Sequence, residues 1–126
     1  MKIVHVAGPI IIEKKKILLV LDDENEYKTP EGKLEVGETL REAARRESKE
    51  EICSDVELYD LIKTYSKTVE NKTYKIFNFK AKLLGKPKSG NEVKYIGWYS
   101  YLECKKMLLS LNSKNVVEFL HRRGVF

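Results

Sequence analysis

The chain has 126 residues, of which 42% are hydrophobic and 34% are charged, and its formal net charge is +5. This length and composition suit a single globular domain over residues 1–126, and they exclude a disordered or fibrous chain. No apolar run approaches the roughly 18 residues that a membrane span needs, so we expect no membrane partner. The two cysteines are expected to be reduced thiols, which favours a cytoplasmic location.

The first part of the sequence predicts strands rather than a signal peptide. Residues 2–7 alternate in polarity and predict a strand. Two apolar runs, at residues 10–12 and 17–21, flank the polar segment 13–16, which is typical of a hairpin. Residues 22–27 are polar and predict a turn.

A helix is predicted after a loop at residues 29–32. Thr39 and Glu42 stand three residues apart, as in a capping box, where each side chain binds the backbone N–H of the other residue. The helix is expected to continue to about Ile52. Small apolar residues in its first turns, such as Ala43, would dock it on the sheet and leave its acidic end open toward a cleft.

Three carboxylates share one face of this predicted helix. Glu47, Glu50 and Glu51 are spaced i, i+3 and i+4, so a helix stacks them as neighbours. Like charges at this spacing repel one another unless a cation lies between them. Hard divalent cations such as Mg²⁺ bind oxygen ligands and bridge to substrate phosphates. The spacing favours a cation site, and a solvated acidic helix face is the alternative that it leaves open.

The second half of the chain predicts three more strands, at residues 56–68, 73–84 and 93–99. A turn at residues 70–72 separates the first two strands. A loop at residues 85–91, which contains proline and glycine, separates the second from the third. The first two strands are therefore expected to form a hairpin.

Two helices are predicted at the end of the sequence. Ser100 and Glu103 form a second capping box, which predicts a helix through about Leu111. Asn112 or Ser113 would then cap a last helix. An order of strands, helix, strands and helices predicts an α+β fold in which helices pack on the faces of a mixed sheet.

The cysteines and histidines are isolated from one another. Cys53 and Cys104 do not have the spacing of metal ligands, so reduced thiols are expected. His5 and His121 have no cysteine or serine partner nearby in the sequence, and structural roles are expected for both. No catalytic triad is apparent in the sequence.

The segment at residues 32–54 resembles the Nudix box, G-x5-E-x7-R-E-U-x-E-E-x-G-U, in which U is a bulky aliphatic residue. The family's first glycine and its charged positions are all present at the family spacing, as Gly32, Glu38, Arg46, Glu47, Glu50 and Glu51. The resemblance implies an α/β/α sandwich with a mixed β-sheet. It also implies an enzyme that hydrolyses a phosphoanhydride bond in a nucleoside diphosphate linked to another group.

Four positions depart from the usual form of the family. Ser48 and Ser54 replace aliphatic residues, Cys53 replaces the last glycine, and Glu31 stands where many members have a second glycine. A helix often ends at positive φ, where a residue other than glycine costs on the order of 1 kcal/mol. The departures concern structural positions, whereas the carboxylates expected to carry the chemistry are retained.

The resemblance also implies a set of metal ligands. Mg²⁺ or Mn²⁺ would be held by the carboxylates of Glu47, Glu50 and Glu51 and by the backbone carbonyl of Gly32. Glu50 is the first candidate for the general base that takes a proton from the attacking water. Family members often add a carboxylate from a later loop, and Glu92 would be that further metal ligand or an alternative base.

Two further residues of the box are expected to organise the site. The resemblance implies that Arg46 takes part in catalysis by orienting the metal-binding carboxylate through charge-assisted hydrogen bonds. Glu38 would brace the loop, with Arg46 as its candidate partner. An ordinary surface ion pair, which contributes little stability, is the alternative for both residues.

The downstream half resembles small prokaryotic diadenosine-polyphosphate hydrolases. Under this resemblance Tyr74, or alternatively Tyr65, would stack on a nucleobase, and Lys75, Lys63 or Lys67 would hold distal phosphates. The basic net charge would also raise the local concentration of a polyphosphate. The expected substrate is therefore a dinucleoside polyphosphate such as diadenosine tetraphosphate, split into a nucleoside triphosphate and a monophosphate.

Other functions share the same motif. One is hydrolysis of nucleoside triphosphates, including oxidised ones, and others are cleavage of ADP-ribose or of the 5′ end of RNA. A nucleotide-sensing module without catalysis is an alternative of another class, although such modules usually lose carboxylates of the box. General nucleic-acid binding is disfavoured because arginines and aromatic residues are not interleaved. Relatives are often homodimers, but no feature of this sequence demands one.

Overall fold

The computed structural model describes residues 1–126 as one seven-stranded sheet with three helices. None of these helices combines the length and the apolar character that crossing a bilayer requires. The strands are β1 (Lys2–Glu13), β2 (Lys16–Leu21), β3 (Tyr27–Lys28), β4 (Gly32–Lys33), β5 (Val56–Val69), β6 (Lys72–Leu83) and β7 (Tyr95–Tyr99), and the helices are α1 (Leu40–Ile52), α2 (Tyr101–Cys104) and α3 (Leu111–Arg122).

The sheet is built around the long strand β1. Along most of its length β1 pairs in parallel with β6. Its other edge pairs antiparallel with β4 at Val6 and Ala7 and with β2 at Ile12 and Glu13. β5 adds to β6 as an antiparallel edge strand, and β3 and β7 pair with β2. The prediction of a mixed sheet in an α+β fold is therefore confirmed.

Helices cover both faces of this sheet. Side chains of successive strand residues point to opposite faces. Ile10 of β1 packs in a core cluster with Val116 and Leu120 of α3, whereas the next residue, Ile11, packs in a cluster with Ile52 of α1. Two consecutive residues of one strand thus support helices on opposite sides, which produces the three layers of an α/β/α sandwich.

The predicted hairpin between the first two apolar runs is present. Ile12 pairs with Ile17, and Lys14 and Lys15 make the turn with φ angles of 50° and 62°. Both angles lie in the left-handed region that a two-residue type I′ turn requires. The right-handed twist of the flanking strands selects this turn, even though neither lysine is a preferred turn residue.

β1 continues through Gly8 and Pro9, where the sequence predicted separate pieces at residues 2–7 and 10–12. Pro9 pairs in register with Phe79 of β6. A Cβ on Gly8 would lie only 1.9 Å from the carbonyl oxygen of Pro30. Glycine is required here because the loop that precedes β4 crosses very close to β1.

α1 begins and ends where the sequence predicted. Thr39 accepts the N–H of Glu42, and the Glu42 carboxylate accepts the N–H of Thr39, so the capping box is complete. Ala43 and Ala44 are fully buried, and their small side chains let the helix approach the sheet closely. Cys53 follows the helix with φ 54°, the left-handed conformation that the family's glycine adopts most easily.

An irregularity in β5 decides which side chains face which helix. The pairing of β5 with β6 shifts register between Leu58 and Lys63. After this bulge, Lys63 is paired with Asn78 and Tyr65 with Ile76. Partners in an antiparallel pair lie on the same face of the sheet. The bulge therefore turns Lys63 and Tyr65 to the face that carries α3.

The predicted helix from Ser100 to about Leu111 was wrong in length. Its capping box at Ser100 is present, but α2 ends at Cys104. The chain instead runs beside β3, where the N–H of Tyr27 donates to the carbonyl of Leu108. Backbone hydrogen bonding to the sheet thus replaces the second half of the predicted helix.

The last helix also begins earlier than predicted. Ser110, rather than Asn112 or Ser113, is its N-cap, and the Ser110 side chain accepts the N–H of Ser113. The hydroxyl of Ser113 in turn accepts the N–H of Thr29 at 2.9 Å. Ser113 therefore serves as a buried link between α3 and the loop before β4, which explains why it is not the cap itself.

A buried amide pair joins α3 to the sheet. Asn78 of β6 and Asn112 of α3 exchange two hydrogen bonds of 2.9 and 3.0 Å, and Asn78 also donates to the carbonyl of Lys63. Both asparagines are almost completely buried. Because each amide satisfies the other, removing one leaves buried polar atoms without a partner.

We expect Asn78→Ala to lower the free energy of unfolding by about 1–3 kcal/mol, because the amide of Asn112 loses its partner. The double variant Asn78→Ala/Asn112→Ala should lose less than the sum of the two single losses. Urea unfolding of all four proteins measures this coupling. Asn115→Ala, at an exposed position of α3, is the matched control and should change stability by about 0.5 kcal/mol or less. Strict additivity of the two single losses would contradict the prediction.

Candidate active site

Four carboxylates predicted from the sequence meet at one end of α1. Glu47, Glu50 and Glu51 line a cavity of about 260 Å³ together with Asn91 and Glu92. The first three come from one face of α1, as their spacing predicted. The last two come from the loop before β7, which folds back over the C-terminal end of the helix.

Glu47 is held tightly between α1 and β4. It is the least exposed of the carboxylates in this cavity, at 9%. A Cβ on Gly32 would lie 2.1 Å from the carboxyl carbon of Glu47. The backbone of Gly32 and the Glu47 carboxylate are therefore in direct contact, and this contact brings the Gly32 peptide beside the acidic cavity.

Arg46 binds several of the carboxylates at once. Its guanidinium donates to Glu38 at 2.6 and 3.0 Å, to Glu47 at 2.6 Å and to Glu50 at 3.2 Å. A fifth bond runs to the carbonyl of Lys33 at 2.9 Å. The planar guanidinium suits such a fork of contacts better than a lysine would. These bonds raise the pKa of Arg46, with the hydrogen bond to Glu38 as the largest cause.

Glu38 braces the loop that carries Gly32 toward α1. Besides its two bonds to Arg46, it accepts the N–H of Glu35 at 2.9 Å. The hydrogen bonds from Arg46 and from the backbone of Glu35 lower the pKa of Glu38, so it stays charged. The predicted pairing of Glu38 with Arg46 is thus present.

A glycine that the sequence did not single out brings Glu92 to the cavity. A Cβ on Gly90 would lie 1.8 Å from the carbonyl oxygen of Glu50, and the Gly90 N–H donates to the carbonyl of Glu51 at 2.9 Å. The loop can therefore lie directly on the last turn of α1. Glu92 itself adopts the left-handed conformation, with φ 64°, and its side chain lines the cavity.

Burial and mutual repulsion disfavour negative charge in part of this site. Burial raises the pKa of Glu51 to about 7, opposed by Lys28 and reinforced by Glu47 and Glu31. Burial likewise raises the pKa of Glu31 to about 7, again against the attraction of Lys28. Burial also raises the pKa of Glu47 despite its bonds to Arg46. Positive charge would stabilise the ionised form of these three carboxylates, and Lys28 and Arg46 provide it only in part.

Lys28 carries an ammonium group that attracts Glu31, Glu47 and Glu51. Burial acts to lower its pKa, but the carboxylates of Glu51, Glu31 and Asp22 outweigh that effect and raise it. Its Nζ lies 3.6 Å from Asp22. The sequence did not point to Lys28, because strand β3 is only two residues long and carries no motif.

A larger cleft adjoins the acidic end. It has a volume of about 630 Å³, and its wall on the β5–β6 hairpin includes Tyr65, Lys67 and Tyr74. On the opposite side the cleft reaches Glu31 and Gly32, so it borders the site described above. Two aromatic rings and a lysine thus stand across the cleft from the carboxylates.

The structure brings only part of the predicted substrate-binding set into this cleft. Tyr74 lines it, together with the alternatives Tyr65 and Lys67, whereas Lys63 and Lys75 do not. The Nζ of Lys63 lies 4.7 Å above the ring of Phe119 on α3. Lys75 follows Tyr74 directly and therefore points to the opposite face of the sheet.

The acidic cavity has the chemistry of a hard-cation site. Its lining offers oxygen donors with negative charge or a carbonyl dipole: four glutamate carboxylates and, nearby, the backbone carbonyl of Gly32. Mg²⁺ and Mn²⁺ prefer such oxygen donors. The carboxylates do not converge into a complete coordination shell, and Arg46 binds oxygens of two of them. Small rotations of exposed side chains such as Glu50 would direct these oxygens into the cavity.

A family model described as the NUDIX domain matches residues 1–120. This match covers the whole sheet and nearly all of α3, so it extends far beyond the motif at residues 32–54. No curated protein matches the sequence significantly.

Solved structures share the fold. A NUDIX hydrolase from Nitrosomonas europaea aligns with a TM-score of 0.87 and 22% identity over 96% of this chain and 90% of its own. A MutT protein from Methanosarcina mazei gives 0.85 and 21% over 98% and 96% of the two chains. A C. elegans Ap4A hydrolase binary complex gives 0.79 and 21% over 94% and 96%. At these identities the likeness concerns the fold.

We expect Gly32→Ala to lower the free energy of unfolding by about 1–3 kcal/mol, because its Cβ would overlap the Glu47 carboxylate. The measurement is denaturant unfolding of the purified variant. Gly85→Ala is the matched control, since its Cβ would meet only the Ser54 hydroxyl at 3.3 Å, and it should change stability by about 0.5 kcal/mol or less. Equal stability of the two variants would show that Glu47 moves aside freely.

Proposed function

The chain belongs to the NUDIX domain family, and we propose that this Nudix hydrolase cleaves a phosphoanhydride bond in a dinucleoside polyphosphate such as diadenosine tetraphosphate. The observation that carries the proposal is the junction of the two cavities. Carboxylates suited to a divalent cation lie at one end, and a cleft with two tyrosines and several lysines begins beside them. Such a pair of subsites suits a substrate with a chain of phosphates between nucleosides.

In the proposed site, Glu47, Glu50, Glu51 and the Gly32 carbonyl would hold Mg²⁺ or Mn²⁺, and Glu92 would contribute from the loop. When bound, the cation supplies positive charge that neutralises the phosphates at the reacting bond. The buried position of Glu47 makes it the fixed member of this set. Glu50, which is exposed, is free to adjust.

Arg46 and Glu38 act as positioning residues in this proposal. Arg46 holds Glu47 through a short charge-assisted bond, and Glu38 holds Arg46 from the other side. The Glu47 oxygens are therefore oriented before a substrate arrives, and little reorganisation is needed during the reaction.

Glu50 is the proposed general base. Its side chain is 57% exposed, and one oxygen makes a 3.2 Å contact with Arg46. Water can therefore reach it, and its remaining oxygen is available to take the proton as the water attacks phosphorus. Glu92 faces the same cavity and is the alternative base.

The cleft provides the contacts for the remainder of the substrate. Tyr74 and Tyr65 offer flat surfaces on which a nucleobase can stack. Lys67 and Lys33 line the same cleft and can bind phosphates that extend from the cation. This arrangement favours Tyr74 and Lys67 as substrate ligands over Lys63 and Lys75.

A second candidate is hydrolysis of single nucleoside triphosphates, including oxidised ones, to the monophosphate and pyrophosphate. The cleft also exposes Asp22, Glu24 and Glu26. Carboxylates accept hydrogen bonds from the amino edges of nucleobases, which favours recognition of one nucleoside. The fold likeness to a MutT protein is compatible with this second candidate. The fold likeness to an Ap4A hydrolase is equally compatible with the first candidate.

A nucleotide panel separates these candidates. The purified protein is incubated with Mg²⁺ and diadenosine tetraphosphate, nucleoside triphosphates, 8-oxo-dGTP, ADP-ribose or RNA bearing a 5′ triphosphate, and products are identified by mass in ¹⁸O-labelled water. Turnover of diadenosine tetraphosphate to a triphosphate and a monophosphate supports the proposal. Preferential release of pyrophosphate from a triphosphate supports the second candidate. Binding without turnover of any substrate would indicate a nucleotide sensor.

We expect Glu50→Gln to lower kcat about 100- to 10,000-fold, because the amide cannot take a proton from water. The measurement is steady-state kinetics on the best substrate of the panel. Glu70→Gln, at the exposed β5–β6 turn, is the matched control and should retain full activity. If Glu50→Gln retains activity whereas Glu92→Gln loses it, the base is Glu92 instead.

We expect Tyr74→Ala to raise KM roughly 5- to 100-fold, which corresponds to the loss of one base–aromatic stacking contact. Tyr74→Phe keeps the ring and should leave KM nearly unchanged. Tyr59→Ala removes an exposed tyrosine that does not line the cleft, and it is the control. A KM for Tyr74→Ala equal to that of the control would show that the nucleobase of the substrate does not stack on Tyr74.

A further inference from the structure

Glu31 is a carboxylate at the boundary between the acidic cavity and the cleft. Its backbone N–H donates to Oε1 of Glu51 at 3.1 Å, so residue 31 lies against the acidic face of α1. Its side chain lines the cleft. The Nudix box of many family members has glycine at this position, so the side chain is a feature of this chain rather than of the family motif.

The Glu31 carboxylate lacks a partner within the protein. Its Oε2 atom is buried and makes no hydrogen bond. Lys28 lies nearby, but its ammonium pairs with Asp22 at 3.6 Å, and no lysine or arginine forms an ion pair with Glu31. A buried carboxylate oxygen without a donor is unfavourable unless a cation or a donor group from outside the protein binds it.

The backbone gives Glu31 little freedom to turn away. A Cβ on Gly8 would lie 1.9 Å from the Pro30 carbonyl oxygen and 2.9 Å from the Cα of Glu31. The loop is thus packed against β1 on one side. On the other side the bond to Glu51 ties it to α1. The backbone of Glu31 is therefore held between β1 and the acidic face of α1.

We propose that Glu31 supplies an additional carboxylate for divalent-cation binding on the cleft side of the acidic face. The inference rests on the proposed function, because it extends the same cation site. Glu31, Glu47 and Glu51 would then share positive charge that Lys28 alone does not provide. An extra carboxylate at the mouth of the cleft would hold a cation where the substrate phosphates arrive.

The observations favour a cation over a donor group of the substrate. Glu31 is bonded through its backbone to Glu51, and it experiences the negative charges of Glu47, Asp22 and Glu26 against the single ammonium of Lys28. Negative charges so close together attract positive charge more strongly than a neutral amino group. A substrate donor remains the outcome to be distinguished by the experiment.

The test measures binding of Mn²⁺ alone, without nucleotide, by isothermal titration calorimetry. We expect Glu31→Gln to bind Mn²⁺ roughly tenfold more weakly than the unmodified protein, or with one fewer cation bound. Glu31→Gly, which removes the whole side chain, should show the same loss, and this would exclude distortion by the glutamine amide as its cause. Glu24→Gln changes an exposed carboxylate of the same cleft, and its affinity should stay within about twofold of the original.

The outcomes separate this inference from the function on which it rests. Unchanged Mn²⁺ affinity and stoichiometry in both Glu31 variants would overturn the inference, and a raised KM with that unchanged affinity would assign Glu31 to the substrate instead. Failure of the unmodified protein to bind Mn²⁺ would contradict the proposed function itself. Equal losses in the Glu31 and Glu24 variants would overturn the inference too, because they would reflect only the general charge of the cleft.

Discussion

The guanidinium of Arg46 is the interaction on which the acidic end of this molecule depends. Three glutamates on less than two turns of α1 repel one another, and two of them, Glu47 and Glu51, lie in surroundings that disfavour charge. Arg46 offsets this repulsion by bonding to Glu47, Glu50 and Glu38 together. It also ties the helix to the loop before it. Because the same side chain bonds both the carboxylates and the loop, it holds Glu47 and Glu38 in place, whereas Glu50 stays exposed and can still rotate.

Close backbone contacts at three glycines hold the same part of the molecule together as the hydrogen bonds of Arg46 do. Gly8 lets the loop before β4 cross β1, Gly32 lets that loop touch Glu47, and Gly90 lets the loop before β7 rest on Glu50. Each contact joins segments that are distant in sequence. At each of these glycines a Cβ atom would overlap the neighbouring segment. The acidic cavity is therefore formed where two backbone segments, at Gly32 and Gly90, approach α1 more closely than a residue with a side chain would permit.

The sequence could predict what depends on local spacing. The capping box at Thr39, the end of α1 and the shared face of its carboxylates follow from residues within a few positions of one another. It could not predict that backbone bonding to Tyr27 shortens α2, since that partner lies far away in the chain. It also misplaced Lys63 and Lys75 relative to the cleft. The alternation of β6 turns Lys75 to the other face of the sheet. Lys63 shares the face of Tyr65 but lies over the ring of Phe119 on α3, a contact between residues that are distant in the sequence. The departures at Ser48 and Ser54 were resolved by local partners, since both hydroxyls donate to nearby backbone carbonyls.

The distribution of charge explains how a basic protein can carry so acidic a site. The chain has a net charge of +5, which attracts polyphosphates over a distance of about a Debye length. At the acidic cavity the sign is reversed, because the local carboxylates outnumber Arg46 and Lys28. Under the proposed function, a phosphate chain would be repelled from the acidic cavity until a divalent cation reversed the local field. The lysines of the cleft would attract the distal phosphates without that cation. The proposal therefore separates binding of the distal phosphates from binding at the reacting bond, and only the second would depend on the cation.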